Sequence, residues 1–147
     1  MIDIDKILLE IETFIPQYDT QISIQGVIGN NDPSYGTGRL KKLKHEEEDF
    51  TEILFPQMTY TNGVIQQLGM FRTRIMRVRP YSCYSYHVDP TQRMHIPLIT
   101  NDDCFMIIED QLYRYPADGN HYLVDTTKKH TFVNASLEDR IHLVGGV

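Results

Sequence analysis

The second half of the chain is divided into short segments that are typical of antiparallel β-sheet proteins. Between residues 71 and 147, eight pieces rich in β-branched and aromatic residues are separated by turn-forming residues. A βαβ fold needs long helical crossovers between its strands, and this half of the chain has no room for them. We therefore predict an antiparallel sandwich or small barrel. The eight pieces are FRTRIMRVRP, CYSYHVD, RMHIPLIT, CFMIIED, QLYRYP, NHYLVDT, HTFVNAS and RIHLVGGV.

The first 70 residues have a different residue pattern, with one helical segment, one short strand-like segment and long loops. Apolar residues recur at helical spacing over residues 4–14, which predicts an amphipathic helix that covers one face of the sheet. Residues 21–27 alternate like a short strand, and residues 29–38 are dense in turn formers. Residues 39–50, RLKKLKHEEEDF, mix basic and acidic side chains, so we expect a solvated helix or loop with His45 at the surface. The length of 147 residues suits a single domain.

The net charge of the chain limits the classes of partner that we expect it to bind. The formal net charge is −6, which argues against a nucleic acid or an anionic membrane as the main partner but allows a local basic pocket for a small anion. No signal peptide or membrane-spanning run is evident. Cys83 and Cys104 are too few for a disulfide framework and read as buried thiols. We therefore expect a cytoplasmic protein.

One stretch, HVDPTQRMHIPL (87–98), concentrates titratable side chains on sequence that looks like a strand. Such groups are costly on a half-buried strand unless they are paired, hydrogen-bonded or bound to a metal. His87 and Asp89 are two residues apart, so both side chains leave the same face of a strand and can chelate one ion. His130, which begins HTFVNAS, is the best candidate for a third ligand. Two histidines and one carboxylate form the arrangement associated with non-haem Fe(II) oxygenases.

Turn lengths extend this hypothesis. If PTQ (90–92) is a three-residue hairpin loop, Asp89 pairs with Arg93 and His87 pairs with His95, and all four side chains share one face. An even-length loop or a bulge would reverse the face.

A second turn leads to the same kind of prediction. If LED (137–139) is also a three-residue loop, Ser136 pairs with Arg140, and Arg140 and His142 share the face of His130. Arginines beside a metal make sense if its open positions receive an anionic ligand, because guanidinium binds carboxylates through a planar, two-pronged contact.

These residues together carry a family resemblance. The segments HVD…RMHIPLITN and HTFVNASLEDRIHLV resemble the aspartyl/asparaginyl β-hydroxylase family of 2-oxoglutarate-dependent oxygenases. The resemblance covers roughly residues 72 to 147. Its more specific part is the tail, in which His130, Asn134, Arg140 and His142 all fit the pattern.

The resemblance implies a double-stranded β-helix (jelly-roll), and the helix predicted from residues 4–14 is expected to pack on it. It implies Fe(II) held by His87, Asp89 and His130, and a salt bridge from Arg140 to the distal carboxylate of 2-oxoglutarate. Arg93, with His95, is placed near the chelating end of that cosubstrate or near the substrate, and His142 is a further candidate beside it. A purely structural role fits His95 and His142 equally well. The implied reaction uses dioxygen to hydroxylate a C–H bond of an amino acid or amino-acid side chain, and releases succinate and CO₂.

Some assignments have plainer alternatives. A catalytically silent jelly-roll that binds a metal or small carboxylate as a sensor or scaffold is the alternative function. Tyr84 and Tyr86 are candidates for the pocket mouth, although tyrosines packed between sheets fit equally well. The arginines of FRTRIMRVR are better explained by a solvated edge strand than by substrate guidance. His121 is expected at the surface, and Asn134 at a strand end or turn. The substrate itself, a small molecule or a peptide, is not indicated by any motif in the first 70 residues.

Overall fold

The computed structural model describes residues 1–40 and 43–147 of the chain. It contains two α-helices, α1 (Ile4–Phe14) and α2 (Thr59–Gln67), a short 3₁₀ helix (Glu47–Asp49) and eleven β-strands. Neither α-helix is long and apolar enough to cross a membrane. The strands are β1 (Gln21–Ser23), β2 (Gln25–Gly26), β3 (Glu52–Ile53), β4 (Phe71–Val78), β5 (Ser82–Cys83), β6 (Arg93–Ile99), β7 (Cys104–Ile108), β8 (Gln111–Tyr113), β9 (Tyr122–Val124), β10 (His130–Asn134) and β11 (Arg140–Gly146).

The strands form two main antiparallel sheets with the topology of a jelly-roll. One sheet has the order β1-β4-β11-β6-β9, and the other has the order β5-β10-β7-β8. Except for the β7–β8 hairpin, consecutive strands from β4 to β11 alternate between the two sheets. The predicted double-stranded β-helix is therefore confirmed. Each of the eight predicted strand segments overlaps one observed strand.

The predicted hairpins are wrong, because the strands that they would join lie in different sheets. β6 follows the PTQ segment but pairs with β11 and β9, whereas His87 pairs with His130. β10 pairs with β5 and β7, whereas β11 pairs with β4 and β6, so LED also joins two sheets. The side chains expected on one face therefore meet across the interior of the jelly-roll.

The predicted N-terminal helix is confirmed and packs on the outer face of the larger sheet. Asp3 caps it by accepting a hydrogen bond from the Lys6 backbone N–H at 3.2 Å. Ile7 of α1 and Val64 of α2, a helix that the sequence did not predict, join an apolar cluster with the sheet. The sheet residues of that cluster include Ile75, Ile96 and Leu143, which lie opposite one another on β4, β6 and β11.

The alternate positions of the same three strands face the interior, between the two sheets. Val78 of β4 packs there in a second apolar cluster with Met106, Val124 and Phe132. Several interior positions of the larger sheet are polar instead of apolar, and all of them are buried. They are Arg74, Arg93, His95, Arg140 and His142.

Two expectations for individual residues are corrected by the fold. The 39–50 segment is not uniformly solvated, because Glu47 is buried in the 3₁₀ helix; Lys41 and Lys42 of that segment lie outside the described residues. His45 is partly buried, with its Nδ1 2.7 Å from the Tyr35 hydroxyl. Both cysteines are free thiols, but Cys83 is exposed and only Cys104 is buried.

Candidate metal centre and its surroundings

The backbone brings His87 and His130 together. They form an antiparallel bridge in which each N–H donates to the carbonyl of the other residue, at 3.0 and 2.9 Å. Residues that face each other in this way project their side chains to the same side of the sheet. The two imidazole ring centroids are accordingly 4.4 Å apart.

The protons of both imidazoles are fixed by backbone carbonyls. Nδ1 of His87 lies 2.6 Å from the Ser85 oxygen, and Nδ1 of His130 lies 2.8 Å from the Lys128 oxygen. A carbonyl oxygen only accepts, so each Nδ1 carries the proton and each neutral ring keeps a lone pair on Nε2. The Nε2 of His130 is buried and has no hydrogen-bond partner. This tautomer is the one that a metal-binding histidine needs.

Asp89 completes the cluster. Its backbone N–H donates to the Thr126 carbonyl at 2.8 Å, and its carboxylate oxygens lie 3.7 Å from His87 Nε2 and 3.4 Å from His130 Nε2. Burial favours the neutral acid, but the contact with His130 when that ring is protonated, together with the charge of Arg93, outweighs burial and holds the pKa of Asp89 below its usual value.

The three side chains fit a divalent cation. Their ligand atoms all lie within 4.8 Å of one another. Two imidazole lone pairs and a carboxylate that face one another without a shared proton repel, and a cation relieves that repulsion. The set of two histidines and one carboxylate is typical of non-haem Fe(II) sites that leave coordination positions open. The three predicted metal ligands are thus brought together, and their role as ligands stays a prediction.

Arg93 is tied to a buried carboxylate beside the cluster. Glu47 accepts hydrogen bonds from both terminal nitrogens of Arg93, at 2.6 and 2.8 Å, and Oε1 also accepts from Arg72 at 2.6 Å. Thr91 donates to the same carboxylate at 2.7 Å. Burial opposes the ionisation of Glu47, but Arg93, Thr91 and Arg72 outweigh it and lower its pKa. The Arg93 Nε is 3.7 Å from Asp89, so the guanidinium links Glu47 to the candidate metal ligand.

The arginines of β4 are not the solvated edge that the sequence suggested. β4 lies between β1 and β11, and both Arg72 and Arg74 are buried. Arg72 binds Glu47 and the Gly36 carbonyl. Arg77 contacts Asp139 at 3.4 Å, and only Arg79 is well exposed, in an ion pair with Asp19.

Arg140 is a buried cation that has no counterion among residues 1–40 and 43–147. Its Nε and Nη2 have no hydrogen-bond partner, and its guanidinium lies 4.9 Å from the ring centroid of Phe132. Burial lowers its pKa to about 10. The Phe132 ring also contacts the ring of His130, with 5.7 Å between centroids. The unpaired guanidinium is therefore one side chain away from the candidate metal centre, where an anion could pair with it.

His95 and His142 form a pair in the same interior. Their Nδ1 atoms are 3.1 Å apart, and the Nε2 atom of each ring is buried without a partner. Burial and then the charge of Arg140 hold both pKa values well below the usual 6.5, so both rings are neutral. One Nδ1 must donate to the other, so one free Nε2 is an acceptor and the other is a donor.

The remaining candidates divide into interior and surface residues. Tyr84 packs edge-on against Phe132 with its hydroxyl buried and unpaired, whereas Tyr86 is exposed. Asn134 is a structural residue, because its amide donates to the carbonyls of Val78 and Glu138 at 2.8 and 2.7 Å. His121 is exposed, as expected.

The sequence matches the model of one protein family. The model for aspartyl/asparaginyl β-hydroxylase matches residues 38–147, which is most of the chain. The chain belongs to the aspartyl/asparaginyl β-hydroxylase family. The matched residues include the three candidate ligands, Arg140 and also Glu47. The chain is thus a member of a hydroxylase family, as the resemblance implied.

Other comparisons add little to the family assignment. No curated protein matches the chain. Among solved structures, the plu4264 protein from Photorhabdus luminescens is 18% identical, with a TM-score of 0.41 over 49% of this chain and 57% of that chain. A Cupin 2 conserved barrel domain protein from Salinispora arenicola is 14% identical, with a TM-score of 0.41 over 49% of this chain and 58% of that one. Each match covers about half of this chain and less than two thirds of the other chain, and the TM-scores are too low to support an argument.

In this β-hydroxylase family member, three buried residues near the candidate site were not predicted as part of it. They are Glu47, Arg72 and Arg74. Glu47 stands in a run of three glutamates, and sequence alone does not distinguish which of them is buried. The arginine spacing in FRTRIMRVR did carry a signal, because Arg72 and Arg74 are two apart on a strand and face one side. This spacing indicates buried side chains only when β1 is known to pair with the edge of β4.

Proposed function

We propose that this protein is an Fe(II)- and 2-oxoglutarate-dependent oxygenase that hydroxylates a C–H bond of an amino acid or of an amino-acid side chain. The observation that carries the proposal is the convergence of two imidazole lone pairs and a carboxylate in an interior that also holds the unpaired, buried guanidinium of Arg140. The first set fits a divalent metal with open positions, and the second fits a dicarboxylate cosubstrate.

His87, Asp89 and His130 would hold the metal. When bound, Fe(II) with 2-oxoglutarate and dioxygen supplies the oxidising power for hydroxylation, with succinate and CO₂ as co-products. The Ser85 and Lys128 carbonyls keep both imidazoles in the tautomer that presents Nε2. Arg93, itself held by Glu47, would help to orient the Asp89 carboxylate, because its Nε lies 3.7 Å from one carboxylate oxygen.

Arg140 would bind the distal carboxylate of 2-oxoglutarate. Its donors are desolvated and unpaired before the ligand arrives, so the charge-assisted hydrogen bonds form at little reorganisation cost. The paired rings of His95 and His142 offer one neutral donor and one neutral acceptor in the same interior. Phe132 and Val124 add apolar walls that keep water away from the reacting groups.

The test is an anaerobic titration of the Fe(II) protein with 2-oxoglutarate, followed by the weak metal-to-ligand charge-transfer band in the visible. We expect a saturable band in the wild type, a weaker band with a raised Kd in Arg140→Ala, and no band in His130→Ala. Arg79→Gln and His121→Ala are the matched controls, because both residues are exposed and lie outside the interior. A folded, iron-loaded wild type without the band would refute the oxygenase and favour a silent jelly-roll.

A further inference from the structure

A second buried arginine in the interior has no counterion in the part of the chain that the structure describes. Arg74 is 6% exposed, its Nη1 donates to the Gln21 side-chain oxygen at 3.0 Å, and its Nε has no partner. Gln21 is a neutral amide and does not compensate the charge. Burial, with the nearby charges of Arg72 and Arg93, lowers the pKa of Arg74 to about 9. A guanidinium in this position is costly unless an anion joins it.

The strand register places Arg74 beside the candidate site. Arg74 lies opposite Val144, and Val144 lies opposite His95, so all three face the interior. The Cα atoms of Arg74 and His95 are therefore about 10 Å apart, two strand spacings. The guanidinium thus lies in the same interior, between the two sheets, as the side chains of the candidate site.

Arg74 and Arg140 occupy different positions in this interior. Arg140 lies opposite Val78, which is on the same face of β4 as Arg74 but nearer the other end of the strand. The two β4 positions are about 13 Å apart along the strand. In the proposed function, 2-oxoglutarate occupies the Arg140 position. The Arg74 position is then left for a second anion.

The charges of the interior support a second anion. Four arginines are buried, Arg72, Arg74, Arg93 and Arg140. Over residues 1–40 and 43–147, Glu47 is the one carboxylate that is fully buried, and it is already shared by two of these arginines. The half-buried Asp89 is assigned to the metal. Although the whole chain carries a formal charge of −6, its interior carries an excess of positive charge.

We propose that Arg74 binds a carboxylate of the substrate and thereby selects substrates that carry one. This inference rests on the proposed function, because it takes the Arg140 position as the cosubstrate site. The carboxylate is either the α-carboxylate of a free amino acid or the side chain of an aspartate in a peptide. The corresponding amide is rejected, because it leaves the buried guanidinium uncompensated.

Three variants test the assignment. Arg74→Gln removes the charge and keeps hydrogen-bonding groups near Gln21, whereas Arg74→Lys retains a charge for partial rescue. Arg77→Gln is the control, because Arg77 is on the other face of the same strand and contacts Tyr18 and Asp139. Binding is measured as ligand-induced thermal stabilisation, in the metal-free protein and in the Zn(II) protein with 2-oxoglutarate, neither of which turns over.

The probes separate the two sources of carboxylate. L-Proline and L-aspartate are compared with their α-amides, and N-acetyl-aspartic acid α-amide is compared with N-acetyl-asparagine α-amide. We expect one carboxylate to stabilise the wild type and Arg77→Gln, and its amide to have no effect. Arg74→Gln should weaken that binding by about 10- to 100-fold, the range for a lost hydrogen bond to a charged group. Arg74→Lys should recover part of the loss.

Several results would overturn the inference. They are equal binding of amide and carboxylate, no stabilisation of the wild type by any probe, unchanged carboxylate binding in Arg74→Gln, or an equal loss in Arg77→Gln. A raised Kd for 2-oxoglutarate in Arg74→Gln, read from the anaerobic Fe(II) band, would assign Arg74 to the cosubstrate instead. Failure of the proposed function is distinguished by the absence of that band in the wild type, while the metal-free thermal shifts still report on Arg74.

Discussion

Replacing Glu47 with glutamine tests the buried network behind the candidate metal ligands. Glu47 accepts two hydrogen bonds from Arg93, one from Arg72 and one from Thr91. The amide keeps one acceptor oxygen, points N–H donors at the guanidinium donors, and leaves Arg93 with only the 3.7 Å contact to Asp89 to balance its charge. Breaking a buried ion pair by removing one partner costs about 3–5 kcal/mol of unfolding free energy. For a domain of this size, that corresponds to a fall in Tm of about 6–20 °C.

The control for this experiment is Glu48→Gln, the same change at the adjacent, exposed residue, which is expected to stay within about 0.5 kcal/mol of the wild type. Urea and thermal unfolding of the metal-free proteins measure both differences. The pKa of Glu47 is lower in the folded protein, so its stabilisation is present above its unfolded pKa and is lost as the pH falls through the folded value. Glu47→Gln should therefore lose less stability than the wild type as the pH falls below about 4.5. A cost below about 1 kcal/mol would refute the reasoning.

Three further outcomes are expected. Arg140→Met should raise the unfolding free energy by about 1–3 kcal/mol in urea titrations while abolishing 2-oxoglutarate binding, because it removes an unpaired buried charge; a destabilised variant would contradict this. Asn134→Ala should cost about 2–5 kcal/mol, since it leaves buried carbonyls unpaired, whereas Asn120→Ala at an exposed turn should cost much less. The folded pKa of His142 is depressed, so its stabilisation is present above pH 6.5 and falls by up to about 1.4 kcal/mol per pH unit below it; His142→Gln should flatten that decline, and an unchanged slope would show that His142 does not titrate as assigned.

The fold was predictable because its signals are local. Each strand segment carries its own β-branched residues and turn boundaries, and the N-terminal helix carries its own apolar periodicity. The hairpins were mispredicted because a three-residue gap is compatible with a hairpin and also with a crossing between sheets. Local sequence contains no information that separates these two outcomes.

The candidate site was predictable in part for the same reason. His87 and Asp89 lie within one short segment, HVD, and Arg140 and His142 lie within another, RIH. The family pattern relates the two segments to each other. Glu47 could not be identified, because its burial depends on Arg93, which is distant in sequence and meets it only in the assembled fold. Arg74 was assigned to solvent, because the short strand β1 that covers β4 is a weak sequence signal.

The pairing of His87 with His130 has a consequence for the folding of the chain. These residues are roughly forty positions apart, and the strands β6, β7, β8 and β9 lie between them in the sequence. Contacts of such high sequence separation slow the folding of all-β topologies. In the proposed function, a metal held by both segments would act as a reversible cross-link, and closing a loop of roughly forty residues is worth about 4 kcal/mol in chain entropy. Metal supply would thus set the unfolding rate and the protease resistance of this protein.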